Sequence, residues 1–161
     1  MEKLHKQLRK KIRIWIIFFI IALVLSGITA FPIEMQLKLA VKYLTFLPAF
    51  LYAWINEVYI GINSTNANFP FLAYGTDWLA FAHIVIAVAF VGPLKDPVKN
   101  IWVIQFGMIA CVMVIPLALI AGAIRDIPFF WRMIDCSFGV FGIIPLYIVY
   151  KYIKKLEHIR C

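Results

Sequence analysis

The sequence predicts an all-α integral membrane protein, an antiparallel bundle of four transmembrane helices with an outer amphipathic helical segment. Three observations predict it. Apolar stretches at 14–31, 75–94, 101–123 and 129–149 each come close to or exceed the roughly 20 helical residues that cross a hydrocarbon core. Hydrophobic residues make up 64% of the 161-residue chain and the mean hydropathy is +0.90, more apolar surface than a soluble fold of this length can hide. Basic residues gather beside the apolar stretches: Lys3, Lys6, Arg9, Lys10, Lys11 and Arg13 before the first, Lys95 and Lys99 between the second and third, and Lys151, Lys154, Lys155 and Arg160 after the fourth.

Lys and Arg concentrate in short cytoplasmic segments of membrane proteins. Both termini and the 95–100 loop are therefore expected in the cytoplasm, with 32–74 and 124–128 outside, where only Lys38, Lys42 and Arg125 are basic. The net charge of +8 reports topology in a multi-pass protein of the cell membrane. The lipid bilayer is the expected partner, and nucleic acid is not. No segment outside the spans reaches the roughly 50 residues of a soluble domain, so the chain is read as one membrane domain over 1–161.

The first thirteen residues form a basic amphipathic entry, with Leu4, Leu8 and Ile12 four residues apart, suited to anionic lipid at the cytoplasmic face. The 14–31 run exceeds the roughly 7 to 15 apolar residues of a signal-peptide core, so it is expected to remain as an anchor despite the small Ala30 near its end. Pro32 stops it. Ile33 to Tyr43 alternates like a strand, yet Ile33, Leu37, Ala40, Val41 and Leu44 also make a helical stripe. The helix is preferred, because a strand would have only Val58 to Ile62 as a candidate partner. Glu34, Lys38 and Lys42 share the opposite face, with Glu34 and Lys38 in the favourable i to i+4 order.

Leu44 to Ile62 is apolar enough to suggest a fifth crossing, but that would place Lys95, Lys99 and the basic tail outside. Residues 47–60 are therefore read as an interfacial helix anchored by Tyr52, Trp54 and Tyr59. Asn63 to Asn68 is its polar turn and exposes the Asn63-Ser64-Thr65 sequon. Gly92-Pro93 ends the second span. The short 95–100 and 125–128 turns make their flanking helices antiparallel neighbours, and 150–161 is a cytoplasmic tail. Pro116 and Pro145 kink the last two spans, and Gly107 and Gly122 ease packing. No internal repeat supports an inverted-repeat transporter.

Charge inside an apolar span is costly and asks for a partner, a wet cavity or a task. At about 100° per residue, Arg132, Asp135, Cys136, Gly139, Gly142 and Leu146 share one sector of the fourth span. This polar-then-small face is expected to point into the bundle. In the second span Asp77 and His83 flank a sector holding Ala80 and Ala87. Asp77 and Arg132 lie at similar depth near the outer surface, with His83 and Asp135 deeper. The expected cluster is thus an Asp77 to Arg132 ion pair and a His83 to Asp135 contact, with Arg125, Asp126 and Glu57 at the mouth. Gln105 belongs near the inner end of the third span.

The leading functional expectation is a non-enzymatic protein whose outer polar pocket binds a small polar or amphipathic ligand or docks a membrane protein partner. Arg132 would hold an anionic group, Asp135 and Asp77 would orient it, and His83 would add pH sensitivity near its ordinary pKa of about 6.5. One alternative is a membrane enzyme at the outer leaflet with His83 as general base and Asp135 orienting it. Another is a small ion or proton pathway, for which the inner half offers little beyond Gln105. The competing reading is that such charges only fix helix register.

No cofactor and no metal are expected. His83 is the one histidine within a span, zinc-type spacing and a phosphate loop are missing, and Ser137 beside Asp135 has no nucleophile motif. Cys111 and Cys136 lie within spans and Cys161 ends the chain. Without a C-x-x-C pair they are read as packing residues rather than a redox pair.

Overall fold

The computed structural model describes residues 2–160, so the expectations touching Met1 and Cys161 fall outside it. Every regular element among the described residues is helical: α1 (Glu2–Ala30), α2 (Ile33–Tyr43), α3 (Ala49–Asn68), a 3-10 turn (Pro70–Leu72), α4 (Ala73–Ala89), α5 (Val91–Lys95), α6 (Ile101–Ile124) and α7 (Phe129–Arg160). By length and composition four helical segments are able to cross a membrane: Lys3–Ala30, Pro70–Lys95, Ile101–Ile124 and Phe129–Ile159. The 20-residue α3 is not among them, because Asn56, Glu57 and the Asn63 to Asn68 run dilute its apolar content.

Several boundaries differ from the sequence reading. Segment 33–43 is a helix, as its stripe of Ile33, Leu37, Ala40 and Val41 predicts, and not a strand. The Asn63 to Asn68 run is not a turn but the last part of α3. Asn, Ser and Thr usually compete with the helical backbone. Here Asn66 is drawn away to Glu34, and Asn68 Nδ2 donates back to the Ser64 carbonyl at 2.8 Å. The second span breaks at Phe90 rather than at Gly92-Pro93. Pro93 has no N–H for the carbonyl four residues earlier, Ala89, so the helix yields there and resumes as α5. The tail beyond 149 continues α7 without interruption.

The chain divides into two compact units, Met1–Ala22 with Ala87–Cys161, and Leu23–Ile86. In the first, α6 and α7 form a closely packed hairpin. A Cβ on Gly107 would lie 2.9 Å from Leu146 Cδ1, one on Gly142 3.0 Å from Cys111 Sγ, and one on Gly139 would collide with the Cys111 carbonyl oxygen. Partner numbers fall along α7 as they rise along α6. The small-residue face expected on α7 is thus the face that meets α6. The core of this unit comes from Leu8, Ile12 and Ile16 of α1, Phe90, Val103 and Ile104, and Leu146, Val149, Ile153 and Leu156 of α7, all buried. Phe19 stacks on Phe90 with ring centroids 4.8 Å apart. In the 96–100 turn, Asn100 Nδ2 donates to the Gly92 and Asp96 carbonyls at 3.2 and 2.9 Å. A Cβ on Gly92 would sit 3.1 Å from Asn100 Oδ1, so Gly92 serves this turn rather than ending a span.

In the second unit, the last turns of α1 meet α4 at Gly27, where a Cβ would lie 2.8 Å from the Ala80 carbonyl oxygen and 3.2 Å from His83 Cβ. Gln36 Nε2 donates to the Thr29 carbonyl at 2.7 Å, satisfying one of the orphan acceptors at the end of α1. Helices α2 and α3 fold back on each other, pinned by Tyr52 Oη donating to the Val41 carbonyl at 3.2 Å and Asn66 Nδ2 donating to Glu34 Oε2 at 2.6 Å.

Gly139 and Gly61 make opposite predictions. A Cβ on Gly61 meets nothing within 4 Å, so Gly61→Ala is expected to stabilise α3 by about 0.5–1 kcal/mol through helix propensity. Gly139→Ala must push two backbones apart, and is expected to destabilise by about 1–3 kcal/mol, the usual range for overpacking. Thermal unfolding of the two variants in micelles checks the contrast.

Candidate functional site

In the 23–86 unit a cleft of about 550 Å³ opens where the end of α1, α2, α3 and the start of α4 meet. Its polar wall is Glu34, Lys38, Thr65, Asn66, Thr76 and Asp77, and its apolar wall includes Phe31, Met35, Ile62 and Leu72. Pro32 turns the chain so that α2 starts beside the end of α1, and its carbonyl accepts the Gln36 N–H at 3.0 Å. The sequence pairing of Glu34 with Lys38 is corrected: Glu34 takes its hydrogen bond from Asn66, across the hairpin rather than along the helix. Lys38 and the half-buried Asp77 are left facing the cleft with no hydrogen bond or ion pair inside this unit. A cleft of this size, mostly apolar with a few convergent charges, has the dimensions of a small-molecule site.

Asp77 of the expected cluster lines this cleft, and beside it the exposed ring face of Phe31, Tyr74, Trp78 and Phe81 forms a shallower apolar extension. His83 and Glu57 do not line it. His83 is half-buried, and its Nδ1 lies 2.8 Å from the Leu79 carbonyl oxygen. Since a carbonyl only accepts, Nδ1 is the donor in this contact. The position from which a carboxylate would orient the imidazole is filled by this helix's own backbone. Glu57 is exposed on α3.

Arg132 and Asp135 belong to the other unit. Arg132 lays its methylenes over Gly122, where a Cβ would be 2.6 Å from Cδ, and sets its guanidinium 5.4 Å from the Phe129 ring centroid. Its Nη1 donates to the Leu119 carbonyl at 3.4 Å, and its Nε is buried with no hydrogen-bond partner. Asp135, one turn on, is half-buried and makes no ion pair with Arg132. Cys136 Sγ lies 4.0 Å from the Ile115 carbonyl, and Cys111 Sγ faces Gly142. Each cysteine has its own packing partner, and both thiols are free. Ser137 Oγ donates to the Ile134 carbonyl of its own helix at 2.6 Å. No group of three or more His, Cys, Asp or Glu able to hold a metal occurs among the described residues.

Arg125 and Asp126 are exposed in the turn between α6 and α7. Asp126 has φ 54°, the left-handed conformation, and around it the Ile127 N–H donates to the Gly122 carbonyl at 2.9 Å and the Asp126 N–H to the Ala123 carbonyl at 3.3 Å. This is a Schellman closure of α6 with Asp in the place usually taken by Gly, which gives Asp126 a backbone task whatever else its carboxylate does. Comparison with known families, curated proteins and solved structures finds no match, so the site rests on its own geometry.

Glu34 and Lys38 are the site residues the sequence reading did not count. Their shared helix face with Lys42 was visible, but the turn at Pro32 that brings them to Asp77 was not. Asp126→Gly is expected to raise the thermal midpoint by relieving the left-handed backbone, a gain of about 1 kcal/mol, whereas Asp126→Val should lose about 1–2 kcal/mol. Denaturation of the two variants in micelles measures this.

Proposed function

We propose that the protein is a four-span, antiparallel membrane protein with both termini cytoplasmic, and that its 23–86 unit is a non-enzymatic binding module for a small amphipathic ligand. The apolar exterior supports the membrane part. Helix α6 buries only Val103, Ile104 and Gly107, while Ile109, Met113, Leu117, Ile120 and Ile124 are all more than half exposed. Leaving such side chains in water instead of burying them forgoes about 1.5–3 kcal/mol each, and lipid removes that penalty.

The observation that carries the binding part is the cleft, with an ammonium at Lys38 and a carboxylate at Asp77 that have no protein partner inside the unit, beside the apolar Phe31, Met35 and Leu72. A ligand suited to it has an apolar body and bears both an amine and an acid group. The amine meets Asp77 and the acid meets Lys38. By the distribution of Lys and Arg, this cleft opens on the outer side.

Zwitterionic lysophosphatidylethanolamine, titrated into the protein in phosphatidylcholine nanodiscs, tests the reading by chemical-shift perturbation. Saturable shifts at Glu34, Asn66 and Asp77 are expected. Asp77→Asn and Lys38→Gln should each weaken binding by roughly tenfold or more, the loss of a charge-assisted hydrogen bond. No saturable shift, or equal affinity in all three proteins, contradicts it.

A further inference from the structure

The densest positive charge in the molecule takes no part in that cleft. The unit Met1–Ala22 with Ala87–Cys161 carries a second, smaller concavity of about 260 Å³. Five cationic side chains line it: Lys6, Arg9, Lys10 and Arg13 from α1, and Lys95 from the end of α5; no carboxylate does. The four on α1 are spaced i, i+3, i+4 and i+7, the pattern of a single helical stripe. Leu8, Ile12 and Ile16 form the adjoining stripe and are buried, and this packing fixes which way the basic stripe turns. Between the charges, Ile12, Leu94 and the two prolines Pro93 and Pro97 supply an apolar floor.

Topology explains why Lys and Arg are numerous beside a span, but not why five converge on one concavity. Lys11 is equally basic and equally close in sequence, yet its ammonium sits 5.7 Å from the Tyr152 ring centroid, away from the cleft. Asp96, which follows Lys95, is occupied with its own turn, its Oδ1 accepting the Lys99 N–H at 3.3 Å. Like charges four residues apart on a helix repel, as Arg9 does Arg13, and Lys10 and Lys95 add two more cations beside them. An anion held among them turns each of those repulsions into a shared attraction. Two guanidiniums offer the planar paired donors that match phosphate oxygens, and the ammoniums add point charge.

We propose that this cleft is a phosphate-binding site, taking the phosphate group of an anionic phospholipid or a phosphate free in solution. The apolar floor suits a phosphate attached to an acyl chain, and the cytoplasmic leaflet, where the basic segments place this cleft, is the anionic one. The lipid source rests on the four-span reading above; the phosphate chemistry does not.

The test uses the full chain in phosphatidylcholine nanodiscs, with either phosphatidylglycerol added to the lipid or inorganic pyrophosphate added to the buffer. Native mass spectrometry counts retained phosphatidylglycerol, and the thermal midpoint follows both probes. Arg9→Gln with Arg13→Gln is compared with Lys11→Gln with Lys151→Gln, an equal loss of charge outside the cleft. The expected result is a loss of at least about tenfold in affinity for the cleft pair against less than about threefold for the control pair.

Retention of phosphatidylglycerol without a pyrophosphate response assigns the lipid headgroup, and the reverse assigns a soluble phosphate. Equal losses in the two pairs, or no response of wild type to either probe, overturns the site. Should the double variant fail to fold, Lys95→Gln, a single exposed change at the end of α5, carries the same comparison against Lys11→Gln. Release of the protein from membranes by alkaline carbonate would remove the four-span reading while leaving the pyrophosphate arm intact, so the two failures are distinguishable.

Discussion

The close approach of α6 and α7 at Gly139 is the constraint on which the larger unit depends. The Cys111 carbonyl oxygen occupies the space a side chain would need, and such backbone proximity lets the two helices make close van der Waals contact along their length. With Gly139 setting the separation, Gly142 receives Cys111 Sγ, Gly107 receives Leu146 and Phe90, and Gly122 receives the Arg132 methylenes. The hairpin is closed at its turn by Asp126 in a left-handed conformation. Arg132 therefore owes its placement to a glycine on the facing helix as much as to its own position on α7.

Polar groups elsewhere are satisfied locally, and the few that are not stand out for that reason. Asn100, Gln36, Asn66 and Asn68 each close a helix end, a turn or a hairpin with bonds of 2.6 to 3.2 Å. Against that background the ammonium of Lys38 and the carboxylate of Asp77 face open space with no protein partner in their own unit. The stripe of Arg9, Lys10 and Arg13 faces a concavity without a carboxylate lining it. These groups are placed by the fold rather than neutralised by it.

Much of the architecture was legible in the residues. Apolar length identifies four long helices, and the angular count on α7 groups Arg132, Asp135, Cys136, Gly139, Gly142 and Leu146, of which all but Asp135 meet α6 in the contacts described. What escaped depends on contacts between segments. The continuation of α3 past Asn63 depends on Asn66 finding Glu34 across the hairpin, and the break at Phe90 follows from Pro93 acting on Ala89 rather than at its own position. The tail carries a readable signal, since Val149, Ile153 and Leu156 keep the four-then-three spacing of a buried stripe among its lysines. Of the expected polar cluster, Asp77 lies in the cleft of its unit. Its neighbours there, Glu34 and Lys38, are separated from it by about forty positions of sequence, and no periodicity links them.

The most direct measurement of the central claim is a proton NOE from Gly139 Hα to the Val114 side chain, recorded on the protein in deuterated detergent. A Cβ at Gly139 would lie 3.6 Å from Val114 Cβ, so the account predicts a strong cross-peak to the Val114 methyls and none to detergent chains. Cross-peaks from Gly139 to residual detergent protons, with none to Val114, would place that glycine on the lipid-facing surface and contradict it.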